Sequence, residues 1–141
     1  MCDLQQSKLL VQAILEQDSM VVKTLLEEGL DPNLEIQVHS WTALHLAVEH
    51  DCLEIAQMLL NYGASIDAPD GSGCTSLFFA VDLEIDSASQ LGIVAMPNIS
   101  RMLLELGANP NQPNRQGETP LSLATMCNYT AFLKIAISEK K

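Results

Sequence analysis

The chain has 141 residues, enough for one domain with a buried core but too few for two ordinary ones. Acidic residues outnumber basic ones by 18 to 7, giving a formal net charge of −11. That charge argues against binding to nucleic acids or anionic membranes, both of which attract cationic surfaces. Apolar runs are too short for a transmembrane helix, and the first residues lack the basic and apolar regions of a secretory signal. We expect one cytoplasmic, monomeric domain over residues 1–141.

Apolar spacing predicts short helices along the whole chain. The first two are expected at residues 8–16 and 20–27, and a later one at residues 53–60. Three further helices are expected to begin after Thr42, Thr75 and Thr119, whose hydroxyls can cap free backbone N–H groups. The sequence therefore predicts a series of short helices.

Two short sequence patterns recur along the chain. TALHLA begins at Thr42, TSLFFA begins at Thr75, and TPLSLA begins at Thr119. The second pattern, LLxxG, precedes each of these segments by a nearly constant distance. The first interval sets a repeating unit of about 33 residues, and the longer second interval indicates an insertion of about 11 residues in the third copy.

These patterns resemble the ankyrin repeat family, whose signature T-P-L-H-x-A recurs about every 33 residues. The resemblance covers nearly the whole chain and implies an all-α repeat solenoid, an ankyrin repeat stack of helix-turn-helix units joined by β-hairpin loops. Four repeats are implied, at about residues 4–36, 37–69, 70–113 and 114–141. In the second repeat Ser40 precedes Trp41 and Thr42 where the family has Gly, so we expect a different turn there.

The insertion falls within residues 83–96, between the two helices of the third repeat. Its acidic part holds Asp82, Glu84 and Asp86, which we interpret as a solvated loop because the Gly and closing Glu of a calcium loop are missing. Its apolar part ends at Pro97, expected in the first turn of the next helix. Two interpretations remain open: a lengthened first helix with a connecting loop, or a contact surface.

Charge is concentrated in the middle of the chain. No Lys or Arg lies between Lys23 and Arg101, whereas residues 24–100 contain 12 acidic residues. The excess could serve solubility alone. It could also provide electrostatic complementarity to a basic partner.

The sequence gives little support for catalysis, a cofactor or a metal. His45 stands at the family's T-P-L-H position, where the resemblance implies a structural hydrogen-bonding role. The glycine-rich segment at residues 71–76 lacks the Lys of a phosphate-binding loop, and the four cysteines lack the close spacing of a zinc site. We predict no enzyme activity. The alternative from a different class is an enzyme or metal-binding protein centred on Glu49, His50, Asp51 and the acidic part of the insertion.

The resemblance implies a protein-protein interaction module that binds through hairpin tips and a concave face lined by first helices. Carried over by position, the expected contact residues at the tips are His39, Trp41, Ser72, Cys74, Gln116 and Glu118. At the first-helix ends and in the insertion they are Glu49, His50, Asp82, Leu83, Glu84, Asp86 and Met126. Trp41, the only Trp, is the predicted hot spot; the competing interpretation is that it packs across the hairpin onto the neighbouring tip.

We expect the partner to be a protein with a basic surface, which the acidic concave face would complement. A narrower alternative within this class is an immunity or antitoxin-type inhibitor of a basic toxin such as a nuclease. In that case its carboxylates would take the place of substrate phosphates. The sequence does not choose between an inhibitor and another kind of interaction module.

Overall fold

A computed structural model describes residues 2–36, 41–94 and 97–139, with side chains placed for residues 5–36, 41–94 and 97–137. Eight α-helices lie within these described ranges, together with one two-stranded sheet. In chain order the elements are α1 (Cys2–Leu15), α2 (Ser19–Glu27), β1 (Glu35–Ile36), β2 (Trp41–Thr42), α3 (Ala43–Glu49), α4 (Leu53–Asn61), α5 (Ser76–Leu91), α6 (Ile99–Glu105), α7 (Pro120–Met126) and α8 (Thr130–Glu139).

The helices form four consecutive pairs that stack into two layers. The first helices α1, α3, α5 and α7 contact one another in that order, while α2 packs on α4 and α6 packs on α8. Small residues allow the close approach of the first helices, since Ala47, Ala80 and Ala124 are all buried at equivalent positions. The expected helical repeat stack is confirmed.

Each Thr of the recurring hexapeptide caps the helix that follows it. Thr42, Thr75 and Thr119 have extended backbones, and their hydroxyls accept hydrogen bonds from the backbone N–H three residues later. This satisfies one of the N–H groups that a helix start leaves without a partner. The capping expected from the sequence is therefore present in all three repeats.

The end of α4 shows why LLxxG recurs. Gly63 has a φ of +101° and donates its N–H to the Leu60 carbonyl, while Ala64 donates to the carbonyl of Leu59. This pair of bonds is the Schellman arrangement, which requires a left-handed residue that glycine adopts at little cost.

The strands β1 and β2 flank the hairpin of the second repeat. They pair antiparallel, with Glu35 opposite Thr42 and Ile36 opposite Trp41. Its tip, which includes His39 and Ser40, lies outside the described residues, so the different turn expected there stays a prediction. The third and fourth tips share one construction. Asp70 accepts N–H bonds from residues two and four positions later, and Asn114 does the same.

The insertion mainly lengthens α5, so the expected solvated acidic loop is wrong. This helix has 16 residues, whereas α3 and α7 have 7 each. Nothing in residues 82–91 breaks a helix, and α5 continues until Gly92, which ends it with a left-handed φ of +67°. The lengthened first helix of the first interpretation is therefore present, and a role of the insertion as a contact surface stays a prediction. We call residues 83–91 the α5 extension.

The expected position of Pro97 is also wrong. The next helix, α6, begins at Ile99 with Asn98 as its N-cap residue, so Pro97 lies one position before the cap. The Asn98 side chain makes no capping bond. The start of α6 is instead satisfied by a residue of the α5 extension, described below.

Candidate functional site

Exposed carboxylates lie at equivalent positions of two adjacent first helices, α3 and α5. Glu49 ends α3, and Asp82 occupies the equivalent position one repeat later in α5; both are exposed. Asp86, one helical turn beyond Asp82, is exposed on the same face. Partial burial, and then the charge of Asp86, raise the pKa of Asp82. We call Glu49, Asp82 and Asp86 the acidic row.

Other predicted contact residues lie beside the acidic row. His50 follows Glu49 and is exposed, and Met126 at the end of α7 has 75% of its surface exposed. His50, Met126 and the acidic row therefore lie at or near equivalent positions of three first helices, of which α5 contacts both α3 and α7. Leu83, by contrast, is half-buried.

Trp41 is largely engaged within the protein. Its indole Nε1 donates to Oδ2 of Asp70 at 3.2 Å, and its ring lies 5.2 Å from that of Phe79 in the next repeat. The ring also stacks on His45 at 6.1 Å. This geometry matches the competing interpretation, in which Trp41 packs across the hairpin onto its neighbour. Because the side chain is only half-buried, a role in binding stays a prediction.

The remaining tip residues divide into exposed and engaged ones. Ser72 and Gln116 have exposed side chains. Cys74 is half-buried, and its Sγ accepts a hydrogen bond from Asn114 Nδ2 at 3.6 Å. The same amide donates to Oε1 of Glu118 at 3.2 Å. The exposed tips lie at the opposite end of the short first helices from the acidic row, a separation of about 10 Å.

His45 has the structural role that the family resemblance implies. The ring is fully buried and its Nδ1 accepts the backbone N–H of Thr42 at 3.2 Å. Its Nε2 therefore holds the proton of the neutral ring and donates to the Cys74 carbonyl at 3.0 Å. Burial lowers the pKa of His45, and the bond to Cys74 only partly opposes this. The ring joins two repeats as a neutral group.

Glu84, one of the predicted contact residues, is half-buried and bonded within the protein, so a role in binding stays a prediction. It lies two residues after Asp82, on a different face of α5, and reaches the start of α6. Its Oε2 accepts the backbone N–H groups of Asn98 and Ser100, each at 3.0 Å. Its Oε1 accepts the hydroxyls of Ser100 at 2.6 Å and Tyr129 at 2.8 Å.

This carboxylate replaces the missing side-chain cap of α6. A negative charge at a helix N-terminus is favoured by the helix dipole as well as by the hydrogen bonds. Burial, and then the charge of Glu84, raise the pKa of Tyr129 far above its ordinary value. The tyrosine therefore stays protonated and donates. Glu84 thus links α5, α6 and the fourth helix pair.

A groove lies between the α5 extension and the α3–α4 turn, with a volume of about 280 Å³. The residues on its apolar surface include Val48, Leu83, Ala88, Leu91, Ile93 and Val94. Exposed carboxylates of Glu49 and Asp51 also line it. We call this the extension groove. The contact residues predicted from sequence include Leu83 but miss the other apolar ones, although the apolar run at residues 91–96 was a usable signal.

Two observations bear on catalytic or metal chemistry in the part of the chain that the structure describes. No group of three or more His, Cys, Asp or Glu side chains there is placed to hold a metal. Burial raises the pKa of the Cys52 and Cys74 thiols, which lowers the thiolate fraction that nucleophilic attack requires. Among the described helices, none is long and apolar enough to cross a membrane.

Comparison with known proteins agrees with this architecture. The family described as "Ankyrin repeats (3 copies)" matches residues 9–92, more than half of the chain. The chain belongs to the ankyrin repeat family. Members of this family are generally protein-protein interaction modules, so binding of another protein is the general activity of this fold.

Three relatives show how widely this ankyrin repeat segment is found. It is 31% identical over 119 residues to an ankyrin repeat protein of Fowlpox virus (strain NVSL), covering 84% of this chain and 15% of that protein. Rabankyrin-5 of Mus musculus is 26% identical over 119 residues, covering 81% of this chain and 10% of that protein. B-cell lymphoma 3 protein of Homo sapiens is 34% identical over 129 residues, covering 73% and 28%. The chain thus spans less than a third of each of these relatives.

Proposed function

We propose that this chain is a non-enzymatic module that, as a monomer, binds a basic protein through the acidic row and the exposed hairpin tips. The observation that carries the proposal is the placement of Glu49 and Asp82 at equivalent, exposed positions of two contacting helices. Neighbouring carboxylates on one face create a negative potential that attracts cationic groups.

The charge around the row strengthens this proposal. No Lys or Arg occurs in residues 24–100, so the second and third repeats contain no permanently cationic side chain before Arg101 to neutralise the row. The raised pKa of Asp82 has the charge of Asp86 as one cause. An opposite charge from a partner would relieve that repulsion.

The hairpin tips supply the second part of the proposed surface. Ser72 and Gln116 are exposed on adjacent tips, which are held together by a backbone bond from Arg115 N–H to the Ser72 carbonyl at 3.0 Å. A pre-organised tip loses little conformational entropy on binding. A cytoplasmic location is part of the proposal, supported by the free thiols of Cys52 and Cys74, which suit a reducing compartment.

The test is a selection from a phage-displayed library of random peptides, followed by kinetics on the recovered binders. We expect binders with net positive charge, whose association slows by roughly tenfold when salt rises from about 10 mM to about 150 mM. Glu49→Lys combined with Asp82→Lys should weaken binding by at least about tenfold, because repulsion replaces attraction.

The matched control is Glu27→Lys with Glu28→Lys, which makes the same change of net charge at exposed positions of α2 and its C-cap. The control should bind like the unmodified protein. The proposal fails if both double variants lose binding equally, since only net charge would then matter. It also fails if the recovered peptides bind independently of salt and of the acidic row.

A further inference from the structure

The α5 extension and the residues after it expose an apolar surface that folding of the chain does not use. Leu91, Ile93 and Val94 have 71%, 61% and 79% of their surfaces exposed. All three line the extension groove beside the half-buried Leu83. Contiguous exposed apolar surface of this kind is typical of protein interaction sites.

We propose that the extension groove binds a short basic amphipathic helix of a partner protein, with apolar side chains in the groove and Lys or Arg side chains against Glu49 and Asp51. This site is separate from the hairpin tips. It shares only Glu49 with the acidic row. It can therefore be tested by changing residues that the proposed function does not use.

The charge of the groove indicates which charged side chains its binding partner should have. The charged side chains lining the groove are all acidic, namely Glu49, Asp51 and Glu84. Glu84 is occupied by the start of α6, which leaves Glu49 and Asp51 exposed for a partner. A second copy of this chain would bring the same acids together, and its net charge of −11 adds to the repulsion.

The helical wall of the groove indicates which backbone conformation its binding partner should have. The α5 extension is helical, so its backbone N–H and carbonyl groups are bonded within the helix. An extended peptide would find no strand edge there to pair with, and its own backbone groups would lose water without gaining partners. A helix satisfies its backbone internally and presents apolar side chains at positions i, i+3 or i+4, and i+7.

The dimensions fit such a segment. Residues 83–91 of a helix span about 13 Å, which matches roughly two turns of a partner helix. The groove volume of about 280 Å³ is large enough to hold a few apolar side chains of such a helix.

The experiment uses three synthetic peptides of about 18 residues, long enough to form a helix when bound. The first has Leu on one helical face and Lys on the other, the second replaces Lys by Glu, and the third has the first composition in an order without an apolar face. Binding is measured by fluorescence anisotropy, and the site is mapped by NMR chemical shifts. We expect the first peptide alone to bind, with the largest shifts at Ala88, Leu91, Ile93 and Val94.

Protein variants then separate this groove from the rest of the surface. Ile93→Ser with Val94→Ser should weaken binding by about tenfold or more, because two apolar contacts are lost. Asp51→Asn should weaken it by roughly threefold through loss of one charge; Asn suits the positive φ of 57° at this position. The matched control, Met20→Ser with Ile137→Ser, removes apolar side chains that are 72% and 64% exposed elsewhere and should have no effect.

Several outcomes would overturn the proposal. Equal binding of the Glu peptide or of the reordered peptide would remove the need for charge or for an apolar face. If the protein self-associates and the Ile93 and Val94 changes abolish this, the groove binds a second copy of the chain instead. If the protein binds phosphatidylcholine vesicles through the same residues, the groove is a membrane-binding surface instead. If the double variant loses its helical circular dichroism, Leu91→Ser alone provides the same comparison. Asp82→Lys leaves this binding site intact while disrupting the acidic row, so the two proposals can fail separately.

Discussion

The two ends of the first helices are held together in different ways. At the hairpin end, several hydrogen bonds link neighbouring repeats: the Arg115 N–H donates to the Ser72 carbonyl, and the His45 side chain donates to the Cys74 carbonyl. At the other end, a single carboxylate, Glu84, holds the start of α6 and the hydroxyl of Tyr129. The first end uses contacts that the repeat pattern specifies, and the second uses one side chain of the insertion.

Because of this difference, we expect substitutions at the two ends to affect the stability of the fold differently. A substitution at a tip perturbs geometry that is repeated in the neighbouring tip, so related positions can be compared directly. The α5 extension has no counterpart in the other described repeats, and its last residues, beyond Ala88, are exposed. We therefore expect stability at that end to depend on Glu84, and binding to depend on the exposed apolar residues.

The largest expected effect is at Glu84. Glu84→Ala removes the acceptor of two backbone N–H groups and of two hydroxyls. One of these hydroxyls belongs to Ser100, which is fully buried. We expect a loss of about 3–4 kcal/mol in the free energy of unfolding, measured by urea titration. Asp86→Ala, at an exposed position of the same helix, is the control and should cost about 0.5 kcal/mol or less. Equal effects of the two changes would show that Glu84 does not hold the fourth helix pair.

The sequence predicted the hairpin end well because each feature there repeats. Thr42, Thr75 and Thr119 cap helices at equivalent positions, and Gly63 ends a helix where the repeat requires a left-handed residue. A local preference that occurs three times in register is strong evidence for one geometry. The family and the helix pairs followed from that repetition, and the role of His45 followed from the family resemblance.

The sequence predicted the α5 extension only in part, because the chain contains no second copy of it. Acids at alternate positions suggested a loop, but in a helix Asp82 and Asp86 share a face while Glu84 lies on another. The partners of Glu84 lie 14 and 16 residues away at Asn98 and Ser100, and 45 residues away at Tyr129. Contacts of that range depend on packing that local patterns do not specify.

A smaller effect is expected at the two matched tips. Gly73 and Gly117 have nearly the same φ, +80° and +81°, so alanine should introduce similar strain of about 1–2 kcal/mol at each. At Gly73 the added Cβ would also lie 3.0 Å from the backbone nitrogen of Arg115, whereas nothing lies within 4 Å at Gly117.

Gly73→Ala should therefore cost about 2–3 kcal/mol, and Gly117→Ala about 1 kcal/mol less, in the same urea titration. The excess measures the contact between the third and fourth tips. If both substitutions cost the same, the tips are not held at the distance described. The backbone bond between these two tips would then contribute less to the free energy of unfolding than we expect.

The smallest expected effect is the pH dependence that His45 gives to the hairpin end. Burial lowers the pKa of this ring in the folded protein, whereas the unfolded chain has a His pKa of about 6.5. Below that pH the unfolded chain binds a proton that the folded protein does not, so stability falls with a slope of up to about 1.4 kcal/mol per pH unit. The loss should end once the pH passes below the folded pKa, where both states are protonated. His45→Gln should flatten the curve measured between about pH 7.5 and 5.5, a window above the ordinary carboxyl range. Parallel curves for the protein and for His45→Gln would contradict this account, because the link between the second and third repeats would then not depend on a neutral ring.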